Sequence, residues 1–98
     1  MGFKIVFTKP AIQDLGNLVV FISRDNPREG EKFGYEIADK AQNLSEYPLF
    51  GRVVPEFKTE SLREIIHRPY RILYRVRKEQ KLIEILRVWH AARGIPRL

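Results

Sequence analysis

The chain has 98 residues, 44% hydrophobic and 31% charged, which suits one globular domain over residues 1–98 and excludes a disordered or fibrous protein. It contains no cysteine, so disulfides, a thiolate nucleophile and a cysteine-based zinc site are excluded. The formal net charge is +6, and because residues 51–98 hold twelve Lys/Arg against five Asp/Glu, the second half favours a polyanionic partner, either nucleic acid or an acidic protein segment.

The chain begins with a predicted strand and helix. Residues 3–7 are β-prone, and Thr8 can cap a helix that opens at Lys9-Pro10, because its side-chain oxygen accepts an otherwise unpaired backbone N–H. Apolar residues then recur at helical spacing up to Ser23 and predict one buried stripe. The stripe comprises Ile12, Leu15, Leu18, Val19 and Ile22, and Phe21 either extends it or lies exposed.

A second helix follows directly. Asn26 is the predicted N-cap, Pro27 occupies the first helical position and Glu29 stands in the capping-box position. The helix runs to about Leu44, with Phe33, Ile37, Ala41 and Leu44 on one face. Because the connection is short, the two helices should form an antiparallel hairpin.

The second half predicts four strands, at residues 52–55, 62–66, 70–77 and 82–89. The last two flank a polar connection of hairpin length, and their apolar content indicates central positions. The tail over residues 91–98 should be loop or a short turn. The expected fold class is therefore α+β, a two-helix hairpin on a mainly antiparallel sheet in the order β-α-α-β-β-β-β.

Alternation along residues 70–77 predicts one apolar and one basic face. Tyr70, Ile72, Tyr74 and Val76 should face the core, with Arg71, Leu73, Arg75 and Arg77 opposite. Arg63 and His67 share a face of the neighbouring strand, and Arg87, His90 and Arg93 lie near the end of the last one. Arginine forks on such a surface can bind an RNA backbone or an acidic protein stretch. The alternative is that the long basic side chains only solvate an exposed face of the sheet.

His90 is the candidate general acid or base, with structural packing beside Trp89 as the alternative interpretation. His67, before Arg68-Pro69, is expected to be a turn residue. Two isolated histidines make no metal site, and the scattered glycines make no phosphate-binding loop, so no cofactor is expected. The N-terminus lacks the pattern of a signal peptide and no apolar run could span a membrane, so we expect a cytoplasmic protein.

Five segments together resemble the RelE/ParE toxins, and the resemblance covers essentially the whole chain. They are Leu44-Ser-Glu-Tyr-Pro-Leu-Phe-Gly-Arg52, Val54-Pro-Glu56, Leu62-Arg-Glu64, Tyr70-Arg-Ile-Leu-Tyr-Arg-Val76 and Ile85-Leu-Arg-Val-Trp-His-Ala-Ala-Arg93. The resemblance implies a toxin held in a hetero-oligomer by a cognate antitoxin of ribbon-helix-helix or Phd-like type. RelE-type members cleave messenger RNA on the ribosome, whereas ParE-type members inhibit DNA gyrase.

The resemblance also assigns roles to residues. If the chain is a ribonuclease, its catalytic residues are His90, Arg71 and Arg63, but Ile65 and Ala91 stand where such relatives carry charge. The ParE-like, plasmid-stabilisation branch is therefore favoured, with gyrase as the target and ribosome-dependent RNA cleavage as the alternative. The residues expected to bind the target or another polyanion are Arg63, Arg71, Arg75, Arg77, Arg87 and Arg93. Those expected to bind the antitoxin are Leu18, Phe21 and Arg75.

Overall fold

The computed structural model describes residues 2–98, in which two helices cover one face of a five-stranded sheet. The elements are β1 (Lys4–Phe7), α1 (Lys9–Asp25), α2 (Pro27–Asn43), β2 (Arg52–Val53), β3 (Leu62–His67), β4 (Tyr70–Arg77), β5 (Leu82–His90) and a short 3-10 helix (Ala91–Arg93). The predicted α+β class and the order β-α-α-β-β-β-β are confirmed. No helix within this range is long and apolar enough to cross a membrane.

Both predicted helix caps are present. The Thr8 hydroxyl accepts the amide of Ala11 at 3.4 Å, and Asn26 Oδ1 accepts the amide of Glu29 at 3.4 Å. The N–H of Asn26 itself donates to the carbonyl of Ile22 at 3.2 Å, so it belongs to the end of α1. Of the two bonds of a capping box, only the one from the Glu29 amide to the Asn26 side chain is therefore present. Asn26 is the single residue that joins the two helices.

The core-facing stripe of α1 starts at the fully buried Ala11 and continues through four partly buried residues, Leu15, Leu18, Val19 and Ile22. The prediction for Ile12 was wrong, because one helical step turns it away from the sheet and leaves it exposed. Phe21 is also exposed. The core side of α2 and its C-cap holds Phe33, Ile37, Ala41 and Leu44, as predicted.

The strand order is β1-β5-β4-β3-β2, with β1 parallel to β5 and every other pair antiparallel. Strands β4 and β5 are central, as the apolar sequences indicated. The prediction for the second strand was too long, since β2 holds only Arg52 and Val53. The pairing of β4 with β5 shifts register between Leu73 and Tyr74, which is typical of a β-bulge.

The helix-facing side of β4 is the core predicted by alternation, with Tyr70, Ile72, Tyr74 and Val76 all buried. The expected open basic face on the other side was wrong in part. Leu73 is fully buried there and Arg71 nearly so, because the segment that connects β2 to β3 folds across this face. A second, smaller core results, formed by Val54, Leu62, Leu73 and Trp89, with Phe57 and Leu86 packed against it.

His67 is also placed differently from the prediction. It is the last residue of β3 and pairs with Tyr70, so the turn itself is only Arg68-Pro69. Its ring packs edge-on against Phe33 of α2, with the ring centroids 5.6 Å apart. This contact with an aromatic residue of α2, which the neighbouring residues in the sequence do not reveal, leaves the histidine partly buried at the border of the core.

Candidate functional site

Arg71 lies at the centre of a buried ion-pair network. Its Nε donates to Glu64 at 2.6 Å, and its two terminal nitrogens donate to the two oxygens of Glu56 at 2.8 and 2.7 Å. Arg52 contacts the second oxygen of Glu64 at 2.7 Å. The hydrogen bonds with Arg71 hold the pKa of Glu56 below its usual value, and those with Glu56 raise the pKa of Arg71. Each of the three nitrogens of the Arg71 fork thus donates to a carboxylate, and a phosphate would have to compete with Glu56 for the two terminal nitrogens.

Arg63 lies on the opposite face of the sheet from Arg71. It alternates with Glu64 along β3 and pairs with Tyr74 of the helix-side core. Its guanidinium donates to the Glu60 carboxylate at 2.6 Å and to the carbonyl of Gly51 at 3.0 Å. Arg63 therefore fixes the loop that precedes β2.

His90 lies on the helix side of β5, packed edge-on against Tyr70 at 5.4 Å between ring centroids. The predicted alternative of hydrogen-bonded packing agrees with this arrangement except for the partner, which is Tyr70, since Trp89 points to the other face of the sheet. Nδ1 of His90 accepts the amide of Ala92 at 3.0 Å and so caps the 3-10 helix. The proton of the neutral ring consequently resides on Nε2, the nitrogen available to a ligand.

The three residues of the ribonuclease hypothesis are not brought together. His90 pairs with Tyr70 and Arg63 with Tyr74, four residues apart along β4, or roughly 13 Å at the rise of a strand. Arg71 faces the other side of the same sheet. Arg71 lines a cavity with Glu56 and Arg68, whereas His90 lines a different one with Leu18 and Phe21.

Some of the remaining arginines predicted to bind a polyanion already have partners within the protein. Arg77 pairs with Glu84 at 2.6 Å. Arg93 stacks on the Trp89 ring, its guanidinium carbon 3.8 Å from the ring centroid. Arg75 lies on the face of the smaller core, and within residues 2–98 it makes no ion pair. The cationic surface is weaker than the sequence indicated because carboxylates neutralise much of it.

Arg87 ties the last strand to the first helix. It forms a two-bond ion pair with Asp14 of α1, at 2.7 and 2.9 Å, and Asp14 also accepts the amide of Val88 at 3.1 Å. The hydrogen bonds that Arg87 donates to Asp14 raise the pKa of Arg87. The sequence patterns did not single out Asp14, yet it stands one helical turn before Leu18, on the side facing the sheet. The sequence does contain a signal for this ion pair, because Asp14 is a charged residue next to the apolar stripe of α1 and a carboxylate that faces a sheet needs a cationic partner.

A small cavity of 180 Å³ joins α1 to the end of β5. Two predicted antitoxin-binding residues, Leu18 and Phe21, line it together with His90 and Arg93. The third, Arg75, lies on the other face of the sheet. Tyr70, which also lines the cavity, had been expected only as a core residue.

His67 is a partly buried titratable group near α2. Burial lowers its pKa, the charge of Lys40 lowers it further, and Glu36 opposes both from 3.9 Å. Its Nδ1 has no hydrogen-bond partner among the described residues. The ring is therefore neutral in the folded protein near pH 7.

Comparisons with known proteins agree with this architecture. The family model described as the ParE toxin of the type II toxin-antitoxin system parDE matches residues 5–95. The chain belongs to this family, and so to the RelE/ParE superfamily. It is 33% identical over 91 residues to a Caulobacter vibrioides protein named Toxin RelE2, a match covering 92% of this chain and 97% of that protein.

Solved structures of RelE/ParE toxins share the fold. A Mycobacterium tuberculosis toxin-antitoxin complex, RelBE2, contains a chain with 27% identity and a TM-score of 0.68, covering 92% of this chain and 99% of that one. A chain of the chromosomal ParDE system of P. aeruginosa, with 22% identity, superposes with a TM-score of 0.71 over 90% of this chain and 95% of its own. Both branches of the superfamily are thus represented among the relatives of this toxin.

Proposed function

We propose that this toxin acts by inhibiting DNA gyrase and that a cognate antitoxin holds it inactive. The separation of Arg63, Arg71 and His90 over the two faces of the sheet is the observation that carries the proposal. Cleaving RNA requires a base for the 2′-hydroxyl, an acid for the leaving oxygen and cations on one phosphate, all within hydrogen-bond reach. An arrangement that separates these groups favours a toxin that binds a protein target.

The second candidate is a ribosome-dependent endoribonuclease, which is favoured by the relatives named Toxin RelE2 and RelBE2. In that case His90 would donate its proton from Nε2 as an imidazolium, and to be protonated on both nitrogens it would have to give up the hydrogen bond that Nδ1 accepts from Ala92. Arg71 would have to exchange Glu56 for the RNA phosphate. The two candidates therefore differ in whether His90 is essential.

Two assays on one preparation test the proposal. The purified toxin is added to a gyrase supercoiling reaction and, separately, to programmed ribosomes carrying end-labelled messenger RNA. We expect supercoiling to be inhibited and the RNA to stay intact, and His90→Ala to inhibit gyrase as the original chain does. Codon-spaced RNA cleavage that disappears in His90→Ala, with supercoiling untouched, would refute gyrase inhibition and establish the second candidate.

We further propose that the antitoxin covers the cavity between α1 and β5. Phe21, which is 62% exposed, and Leu18 both line this cavity, so an apolar side chain of the antitoxin could pack against the two of them. The same segment would cover His90 and Arg93. To reach Arg75 as well, it would have to pass round the edge of the sheet to the other face.

Antitoxin binding is tested by kinetics at several salt concentrations. Because the toxin carries a net charge of +6, raising the salt to physiological levels should slow association with an acidic antitoxin and leave dissociation nearly unchanged. Phe21→Asp should instead speed dissociation by about tenfold or more, as loss of a buried aromatic anchor does. Val20→Asp, a change at the adjacent exposed position of α1, is the matched control. Equal effects of the two variants would argue against this location of the antitoxin.

A further inference from the structure

The loop between α2 and β2 exposes a concentration of apolar side chains. Phe50 is 74% exposed and Tyr47 68% exposed, and Leu49 between them is also exposed. Ile66 of β3 is exposed as well and lines one cavity with Tyr47 and Phe50. Single exposed apolar residues are ordinary on protein surfaces, but contiguous ones indicate an interaction site. Leu49 lines a different cavity, together with Val76 and Lys78, so we call Tyr47, Phe50 and Ile66 the loop surface.

The backbone beneath the loop surface is held from the core. The buried hydroxyl of Tyr74 accepts the amide of Gly51 at 2.8 Å and donates to the carbonyl of Pro48 at 2.9 Å. Arg63 donates to the carbonyls of Gly51 and Leu49, at 3.0 and 3.4 Å. The exposed side chains are thus presented on a fixed backbone, which lowers the entropy lost on binding.

Gly51 is what allows this close fit. A Cβ at this position would lie 2.5 Å from the backbone oxygen of Glu64 and 2.7 Å from the hydroxyl of Tyr74. No other amino acid fits without moving β3 or β4. Glycine at position 51 therefore lets the loop pack directly against the sheet, while the side chains of Tyr47 and Phe50 remain exposed to solvent.

The cavity beside the loop surface has the size and lining of an anchor pocket. Its volume is 550 Å³, within the range of about 300–1,000 Å³ usual for binding pockets. Tyr47, Phe50 and Ile66 supply apolar walls, and Lys40 supplies a positive charge at its border. Ile66 also lines a neighbouring cavity of 510 Å³, whose walls include Arg52, Arg68 and Arg71. Glu56 lines this second cavity too and, with Glu64, pairs with Arg52 and Arg71, so the cations without an ion pair among the described residues at the two borders are Lys40 and Arg68.

Aromatic and basic residues together can bind either nucleic acid or protein, and the ion pairs favour protein. Arg71 is directed at Glu56 and Glu64, and Arg52 at Glu64. A nucleic acid backbone would have to compete with these carboxylates for the arginines and would meet their negative charge. A protein segment that inserts one large apolar side chain needs only the remaining cations.

We propose that the loop surface docks a segment of the target protein in which a large apolar side chain lies beside acidic residues. The apolar side chain enters the cavity between Tyr47 and Phe50, and the carboxylates face Lys40 and Arg68. This inference rests on the proposed function, because it requires the target to be a protein. The loop surface shares no residue with the cavity proposed for the antitoxin.

Site-specific photocrosslinking tests the contact directly. The photoreactive residue p-benzoylphenylalanine replaces Phe50 in one protein and Tyr35 in the control, since Tyr35 is exposed to a similar extent on α2. Each is irradiated with purified gyrase and, separately, with ribosomes carrying messenger RNA. We expect a gyrase adduct from position 50 and none from position 35.

A double variant provides the functional test. Tyr47→Ser combined with Phe50→Ser should inhibit gyrase at least tenfold less potently, while its melting temperature and antitoxin affinity stay at the original values. Tyr35→Ser should change nothing. The double variant removes only exposed side chains, so it should fold, and the antitoxin measurement verifies that it does.

The other outcomes separate this inference from the proposed function. Gyrase inhibition that the double variant retains in full would overturn the docking surface alone. An adduct with a ribosomal protein would support the docking surface and refute gyrase as the target. An adduct with RNA from position 50 would overturn protein docking, and a chain active on neither gyrase nor ribosomes would overturn both proposals.

Discussion

The hydroxyl of Tyr74 joins the helix-side core to the loop that precedes β2, and Tyr74→Phe removes that connection alone. The ring stays in its fully buried position, but the buried amide of Gly51 loses its acceptor and the carbonyl of Pro48 loses its donor. A buried unpaired group costs about 1–3 kcal/mol, and a partly exposed carbonyl recovers much of its bond from water. We therefore expect Tyr74→Phe to lower the free energy of unfolding by about 2–3 kcal/mol.

For a domain of this size, that loss corresponds to a fall in melting temperature of roughly 8–15 °C. Urea unfolding followed by circular dichroism would measure it, with an unchanged m-value showing that the native surface is unaltered. Tyr74→Ala should cost more, roughly 3–5 kcal/mol, because it also leaves a cavity. Hydrogen exchange at Gly51 should accelerate in Tyr74→Phe, since the amide is no longer bonded.

Tyr35→Phe is the matched control, because Tyr35 is 65% exposed and its hydroxyl should be solvated. It should change the free energy of unfolding by less than about 0.5 kcal/mol. The reasoning would be refuted if Tyr74→Phe were as stable as this control. Such a result would mean that water or a shifted loop satisfies the Gly51 amide at no cost.

Three further predictions concern the charged groups. Arg71→Met should destabilise the fold by about 3–5 kcal/mol in urea titrations, because fully buried Glu64 would keep only the exposed Arg52 as its partner. Asp14→Ala should cost about 2–4 kcal/mol in the same assay, since both the Arg87 pair and the Val88 amide lose their acceptor. Because burial lowers the pKa of His67 below 6.5, the unfolded chain binds a proton more readily, so the free energy of unfolding should fall as pH drops from 7.5 to 5.5. His67→Phe should flatten that dependence.

Each of these predictions has a contrary result. Arg77→Met removes a solvent-exposed pair and should cost under about 1 kcal/mol, so equal losses for Arg77→Met and Arg71→Met would deny the network its structural role. Asp39→Ala, at an exposed position of α2, should leave the urea midpoint unchanged, and Asp14→Ala matching it would show that the α1–β5 tie is weak. The same pH slope in His67→Phe as in the original chain would assign the titration to other groups.

Local patterns in the sequence determined the elements and their order. The apolar spacing of the helices, the caps at Thr8 and Asn26 and the strand alternation around Tyr74 all reappear in the structure. These features rest on interactions between residues a few positions apart, which the sequence displays directly. The phase of α1 was the exception, since both Ala11 and Ile12 are apolar and only packing against the sheet selects Ala11.

Only the tertiary structure decided which arginines are paired with carboxylates inside the protein and which can bind a partner. Alternation correctly separated Arg71 from Tyr70, but the β2–β3 connection then covers Arg71 with Glu56, fifteen positions away in sequence. Asp14 meets Arg87 across seventy-three positions in the same way. An ion pair depends on where two distant backbones meet, so the net charge of +6 says little about which arginines can meet a partner. The sequence by itself therefore determined the family and the fold, whereas folding decided that the ribonuclease candidates lie apart and that the aromatic loop faces outward.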